Sequence, residues 1–448
     1  MVNDLRDALH ERAAHPPHDS LDLATLVAAG RRRVRRRRAG ALAAAAAGTA
    51  AAVALSVGAP LGLVSDDAAP ADLATAGVPE PDAPTLGLGA AEAAVEGRDV
   101  RQLAEHTNDD LDADNGRSWE GVTDDGLLLL RDGPRLDRPE ARYALVDPAT
   151  GEEDWLPDLG LREQADVVGL GEDRLVLVAP APGSGLEVTL EAHVFDRLTR
   201  DWSTVSWPDL PAANSPFATA LGPDGRLYVP VPATVGEVPE GGWPMEGGEA
   251  DDSDAEGDTY RLWSASLANP FDVRDEQLSV GSIAFTEDTL VWTDRTNGDA
   301  GRVHVRDLGS GQERSFDPAS GERCNLLSFG ATAEHVVLGQ YCGDYDDVRD
   351  DRVQVVGTDG EQVVTIQGDS LDGRLATRHG DGLVAVTSYD RSASGTYVYD
   401  LGSGRFLRLS DRVSSWGTDG STTDGQVLFN TPVNGGKGMT EHLVEVLD

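Results

Sequence analysis

An acidic turn followed at once by an apolar strand recurs seven times along this chain. It reads TDDGLLLL at 123–130, GEDRLVLV at 171–178, GPDGRLYV at 222–229 and TEDTLVW at 286–292. It returns as TAEHVVL at 332–338, HGDGLVAV at 379–386 and TTDGQVLF at 422–429. The acidic residues are Asp125, Asp173, Asp224, Asp288, Glu334, Asp381 and Asp424, spaced by 48, 51, 64, 46, 47 and 43. A short apolar run precedes each turn, as in SIAF before 286 and NLLSF before 332, so each turn joins two strands of a hairpin. A second repeat lies further along most units. It reads YALVDPATGEEDW at 143–155, HVFDRLTRDW at 193–202, VHVRDLGSGQERSF at 303–316, VQVVGTDGEQVVTI at 353–366 and YVYDLGSGRFLRL at 397–409. Asp or Gly opens a tight turn between two alternating strands in each copy.

Each unit thus holds four strands in roughly 45–50 residues, the size of one propeller blade. One such sheet cannot bury both its faces, whereas seven arranged radially can. The repeat predicts an all-β fold, a seven-bladed β-propeller of four-stranded antiparallel blades over about residues 117–448. A β-sandwich or barrel with chance turn similarity is the alternative. The last unit has strands near 413–417, 426–430 and 441–446, and its fourth strand is missing. An open ring would expose a sheet edge. PTLGLG at 84–89 and RDVRQLAEH at 98–106 are the candidates to fill it, and the second is favoured because Val100 and Leu103 can bury. The propeller is therefore taken as 98–448.

The turns, with their apolar-x-apolar-x-Asp-x-x-Thr/Ser-Gly pattern, resemble those of WD40-like and quinoprotein-like propeller repeats. The first copy, with Thr150, Gly151 and Trp155, comes nearest the quinoprotein pattern. Later copies lose the tryptophan, so the resemblance implies no quinone cofactor, and no Gly-His or Trp-Asp pair marks a true WD40 blade. The histidines His193, His304, His335, His379 and His442 fall on strands or turns of different units without ligand spacing. No G-x-S-x-G, HExxH or P-loop motif occurs. SYDRSASGTY at 388–397 is similar to a sialidase Asp-box with altered spacing, and that box is structural.

The N-terminal quarter is different in kind. Arg31, Arg32, Arg33, Arg35, Arg36, Arg37 and Arg38 run into a stretch, Ala39–Val64, that has no charged residue. As a helix it reaches roughly 39 Å, against about 30 Å for a bilayer core. Arginines flanking one end of a span hold that end in the cytoplasm. The block reads as a topology anchor, with 1–38 a cytoplasmic head, 39–64 a transmembrane helix and 65–97 a disordered linker. Two alternatives stay open, a cleaved export signal with AAPA at 68–71 and a basic nucleic-acid patch. The net charge of -41 argues against nucleic acid, since 1–38 is itself net positive and the remainder repels anions. In the head, Val2, Leu5, Leu9 and Ala13 recur at helical spacing, Pro16–Pro17 stop that helix, and Ser20 can cap a second carrying Leu23, Leu26 and Val27. These helices dock on a partner or lie against the membrane. The layout of LRDALHERAAHPPHDSLDLATLVAAGRRR before one span and a β-rich ectodomain resembles a group of membrane proteins of high-GC Gram-positive bacteria. Such proteins are often encoded beside extracytoplasmic-function sigma factors, which implies a sigma factor as a cytoplasmic partner. The zinc-type His and CxxC pattern of anti-sigma proteins is absent.

Two cysteines, Cys324 and Cys342, flank a predicted hairpin whose turn lies near Thr332–Glu334, which sets them opposite each other. Opposed positions lie within disulfide range, and a disulfide implies an oxidising compartment; two free buried thiols are the alternative. DLDADNG at 110–116 places Asp110, Asp112 and Asp114 at alternate positions, as a calcium loop does. Asn115 stands where that loop has Gly, and a solvated turn is the other reading. No other cofactor is expected. GDYDDVRDD at 343–351 has carboxylates without regular spacing, and the insertion 241–258 is expected to be a disordered surface loop. The functional expectation is a single-pass membrane protein whose extracytoplasmic propeller binds an unknown protein or small ligand as a sensor or scaffold, and signals through its head. The alternative is an exported propeller-type hydrolase or lyase with a dispersed site.

Overall fold

The computed structural model describes residues 83–447, apart from 112–115, 136–137, 163–164, 183–187, 214–217, 235–244, 247–248, 251–255, 322–323, 343–349, 369, 378–381 and 414–420. All lie in the second of the chain's two units, Ala54–Asp448. The head 1–38, the Arg31–Arg38 block and the 39–64 stretch fall outside the described residues. Among those described, no helix is long and apolar enough to cross a membrane.

The described strands form seven antiparallel blades. Blade 1 is Arg117–Val122, Leu128–Asp132, Arg142–Val146 and Glu153–Trp155; blade 2 is Asp166–Leu170, Arg174–Pro180, Leu190–Asp196 and Asp201–Ser206. Blade 3 runs from Ala220–Leu221 through Arg226–Thr234 and Glu256–Ser266 to Val273–Val280. Blade 4 comprises Ile283–Phe285, Thr289–Thr293, Val303–Asp307 and Glu313–Phe316. Blade 5 comprises Cys324–Ala331, His335–Cys342, Asp350–Gly357 and Gln362–Gly368, and blade 6 Leu371–Leu375, Leu383–Ser388, Gly395–Asp400 and Phe406–Ser410. Blade 7 holds Gln426–Val433 and Gly438–Val446, and its predicted inner strand near 413–417 falls largely outside the described residues.

The sequence repeats explain the local geometry. In the first hairpin of blade 1 the Thr123 hydroxyl donates to Asp125 at 2.7 Å and accepts the Leu127 amide at 2.9 Å. Thr286, Thr332 and Thr422 hold the same position in blades 4, 5 and 7, and all four are buried. In the outer hairpins the aspartate opens the turn. Asp196 Oδ1 accepts the amides of Leu198 and Thr199 at 2.9 and 2.8 Å, and Asp400 Oδ1 accepts that of Gly402 at 2.9 Å. The fifth residue of that turn has a positive φ, 72° at Gly311 and 71° at Gly404, which is why glycine closes DLGSG twice.

Seven apolar clusters hold the ring, one in each seam. Leu129, Leu145, Leu170 and Leu177 fill the seam of blades 1 and 2, for example, and Val384, Val386, Val353 and Ile366 that of blades 5 and 6. Each middle strand is therefore covered on both faces, and near-continuous apolar runs such as LVLV result. Inner-strand ends are stitched blade to blade: Val122 N–H donates to Ser421 at 2.9 Å, and Thr422 N–H to Ala376 at 2.9 Å.

Closure follows the predicted route. Val100–Asn108 pairs antiparallel with Gly438–Val446, from Val100 opposite Val446 to Asn108 opposite Met439, and is the outer strand of blade 7. The linker reading of 65–97 does not hold at its end. Thr85–Gly87 adds a parallel edge strand to blade 5 and Glu92–Ala93 one to blade 6. Leu88 between them is buried in the seam of those blades, and this anchors an otherwise irregular segment. Nor is the 241–258 insertion wholly loop: Met245–Glu246 pairs with Glu249–Ala250, and residues 256–258 begin the third strand of blade 3. Glu256 and Asp258 pair with Gly298 and Thr296 of blade 4, which gives the extended strand a partner.

Candidate functional site

Cys324 begins the inner strand of blade 5 and Cys342 ends the next, directly opposite it. They form a disulfide with Cα atoms 4.1 Å apart. Buried amides hold the connector beside it. Gln354 donates to the Pro318 carbonyl and to Gln362 Oε1, Ser320 Oγ donates to Gln354 at 3.0 Å, and Arg352 donates to the Ser320 carbonyl at 2.8 Å. Such a network is stable only when its members satisfy one another, so bridge and amides fix the same end of the blade. Cys324→Ser should lower unfolding stability by about 3 kcal/mol, as expected for an 18-residue separation. Urea unfolding with and without reductant checks this. A variant as stable as the oxidised parent would refute it.

Two acid centres flank blade 1. Asp132 is clasped by Arg135, Arg138 and Arg142, the last two at 3.0 and 2.9 Å. Burial alone would raise its pKa, but hydrogen bonds from Arg142, Arg135 and Arg138 outweigh burial and bring it down to about 2. Glu441, on the third strand of blade 7, is 1% exposed. Its Oε1 accepts the Trp119 amide of blade 1 at 3.0 Å, and its Oε2 meets no hydrogen-bond partner among the described residues. Desolvation pushes this carboxyl up to about 8 despite that amide, and nearby Glu120 adds to the rise.

His193, His304 and His442 lie on the third strands of blades 2, 4 and 7. Each packs within its own sheet. His193 Nδ1 lies 2.9 Å from Thr204 Oγ1, and His442 Nε2 2.9 Å from Thr431 Oγ1. His304 Nε2 lies 2.8 Å from Asp294, and its ring stacks on Trp292 with centroids 4.9 Å apart; His442 stacks on Phe429 at 4.8 Å. Burial holds His193 and His442 below the ordinary imidazole value. His335 opens the second strand of blade 5, where its amide donates to Thr332 Oγ1 at 3.0 Å. His379 lies outside the described residues.

Asp110 follows the closing strand, whereas Asp112 and Asp114 lie outside the described residues, so the calcium reading rests on sequence alone. Among the described residues no three His, Cys, Asp or Glu side chains are grouped to hold a metal ion. Two clefts open beside blade 1. One of about 210 Å³ lies against blade 2 and is lined by Leu145, Asp154, Phe195, Arg197 and Arg200. The other, about 190 Å³, lies against blade 7 and is lined by His106, Arg117, Trp119 and Glu153. Their arginines are paired: Arg197 with Asp125 at 2.6 Å, Arg200 with Asp154 at 2.6 Å, and Arg117 with Glu153.

No protein-family model matches the chain, and no curated protein does. Among solved structures it is similar to the β-propeller domain of the Trilobed protease from Pyrococcus furiosus, at 10% identity over 66% of this chain and 81% of that one, with a TM-score of 0.42. It is also similar to the β-propeller domain of Myceliophteria thermophila Cps50, at 12% identity over 77% and 98% with a TM-score of 0.43. A third similarity is to oligogalacturonate lyase from Vibrio parahaemolyticus, at 14% identity over 78% and 98% with a TM-score of 0.44. The seven-bladed ring itself is established by the strand pairing described above.

Proposed function

We propose that the chain is a single-pass membrane protein whose propeller lies on the extracytoplasmic side and acts as a binding or sensing module. The observation that carries this reading is the Cys324–Cys342 bridge, because disulfides persist in oxidising compartments. Arg31–Arg38 before the uncharged Ala39–Val64 supports the matching topology, with the head 1–38 in the cytoplasm. A binding role fits a ring whose buried ionisable groups brace the blades from within, as Asp132 does with its three arginines in blade 1 and Arg226 with Asp272 at 2.7 Å in blade 3. The acidic balance of the chain favours a basic or neutral partner over an anionic one. The head then passes the signal to a cytoplasmic protein, for which a sigma factor fits the N-terminal resemblance. Alkaline phosphatase fused after residue 70 should be active, and fused after residue 38 inactive. An inactive fusion at 70, or a soluble exported product beginning near residue 70, would overturn the anchored topology.

A further inference from the structure

Blades 2, 3 and 4 each set two turns at the same end of the ring, on concentric arcs. The first turn joins the two inner strands and the third turn the two outer ones, and antiparallel alternation brings both to one end. The first turns are 171–173, 222–225 and 286–288, and the third turns 197–200, 267–272 and 308–312. The two turns of a blade are tied together. Arg197 N–H donates to the Asp173 carbonyl at 2.9 Å, and Leu308 N–H to the Asp288 carbonyl at 2.8 Å. In blade 3 Arg226, just after the first turn, donates to the Asp272 carbonyl at 3.0 Å. Each blade therefore presents its inner and outer tips side by side.

The two arcs differ in chemistry. The outer one is apolar. Among the described residues five large hydrophobics are exposed, and three of them, Leu198, Phe271 and Leu308, sit in the third turns of these consecutive blades at 92, 74 and 40% exposure. A scattered exposed leucine needs no explanation; recurrence in one turn of successive blades does. The inner arc is acidic. Glu172 and Asp173, Asp224, and Glu287 and Asp288 are all exposed there. Arginines neutralise other acids at this end: Arg197 meets Asp125, Arg200 meets Asp154 and Arg226 meets Asp272. Asp173, Asp224, Glu287 and Asp288 are in no ion pair among the described residues.

This pairing of arcs states the chemistry of what covers them. Carboxylates left without arginines repel nucleic acid and anionic lipid. They also repel a second copy of this chain, whose net charge is -41. They attract Lys and Arg side chains and speed the encounter with a cationic partner. Carboxylates alone would take any diffuse cation. The apolar side chains one turn further out narrow the choice, because covering them is favourable only against apolar groups. The complement is a segment with basic side chains along one line and apolar ones along a parallel line. We propose that the tips of blades 2–4 dock a basic amphipathic protein segment, with its Lys or Arg side chains on the inner arc and its apolar side chains on Leu198, Phe271 and Leu308. This rests on the binding-module reading and deepens it, and it is independent of the topology.

The probe is a labelled amphipathic lysine–leucine peptide, with an all-lysine peptide of equal charge as reference. Both are titrated with the full chain and followed by fluorescence anisotropy. Asp173→Asn, Glu287→Gln and Asp288→Asn together should weaken both peptides at least about tenfold. Leu198→Ser, Phe271→Ser and Leu308→Ser together should weaken the lysine–leucine peptide about tenfold and leave the all-lysine peptide within about twofold. Glu246→Gln, Glu249→Gln and Asp254→Asn remove the same charge from the 241–258 insertion, and should move neither peptide by more than about twofold. The six tip side chains are exposed, so their substitution should leave the melting temperature of the parent unchanged, which checks that the variants fold. An insertion variant that weakens binding as much as the inner-arc variant makes the attraction diffuse and overturns the docking. So does an outer-arc variant that binds the lysine–leucine peptide like its parent, or a parent that binds neither peptide. Self-association of the parent that the outer-arc substitutions abolish would make a second copy the occupant, and overturns the basic partner. Each of these results leaves the fusion after residue 70 to decide the topology separately.

Discussion

A chain starting at residue 110 is expected to give no folded monomer, whereas one starting at residue 83 folds. The difference includes Val100–Asn108, which covers the full outer edge of Gly438–Val446. Its loss would expose that edge, a template for pairing with another chain. It would also remove Leu103 and Ala104 from the seam of blades 7 and 1, and the Asp99 carboxylate that pairs with Arg405 at 2.7 Å. Burying an aliphatic side chain such as Val100 or Leu103 contributes about 1.5–3 kcal/mol. The ladder adds about 0.5–1.5 kcal/mol per hydrogen bond along eight opposed pairs. Together these rival the roughly 5–15 kcal/mol that stabilises a typical domain. A chain starting at residue 95 loses only the two short edge strands and Leu88, so it should stay monomeric with a lowered melting temperature. Size-exclusion chromatography and thermal melting distinguish the three. A synthetic peptide of residues 98–109 should restore a cooperative melt to the shortest chain by adding the missing strand. If the 83 and 110 starts melt alike, closure by this strand is wrong.

The outer strand of blade 7 was legible because two independent signals met: a last unit one strand short, and an upstream segment with Val100 and Leu103 at buriable positions. The disulfide was legible for a similar reason, since the midpoint of a hairpin determines which residues oppose. Thr85–Gly87 and Glu92–Ala93 left no such trace. Strands of three and two residues cannot show alternation, and PTLGLG reads as linker until Leu88 has a seam to enter. Asp132 sits in RDGPRLDRPEAR, where the arginines are plain but the fold of the loop that turns three of them onto one carboxylate is not. Glu441 is hidden for a third reason. In MTEHLVEV alternation places Glu441 with Leu443 on one face and His442 with Val444 on the other. In a half-exposed sheet one of those faces would be wet, but a blade's third strand has neighbours on both. Glu441 and Leu443 meet blade 1, more than 300 residues away in sequence, and His442 and Val444 face blade 6. Periodicity reports which side chains share a face, and the partner of that face is set by ring closure.

The buried Glu441 carboxyl makes the stability of the ring depend on pH with a definite sign. Its folded pKa is raised to about 8 from the ordinary glutamate value of 4.5, so between those limits the folded chain holds a proton that the unfolded chain releases. Stability is therefore greatest, as far as this group is concerned, below pH 4.5. It falls by about 1.4 kcal/mol per pH unit up to about pH 8 and then levels off. Glu441→Gln keeps the shape and the acceptor for the Trp119 amide and removes the charge. At pH 4.5 the variant and its parent should differ little. At pH 7 the variant should be more stable by about 3 kcal/mol, and by slightly more at pH 8. Taking the difference between the two proteins cancels the titration of groups they share, including Glu120, Arg131 and Arg117, which act on Glu441 across the same seam. Urea unfolding at one-unit steps from pH 5 to 9 measures it. A difference independent of pH, or a variant less stable than its parent at pH 8, would show that Glu441 is ionised in the folded ring and held by the arginines, in which case the seam of blades 7 and 1 is an ion-pair contact and not an apolar one.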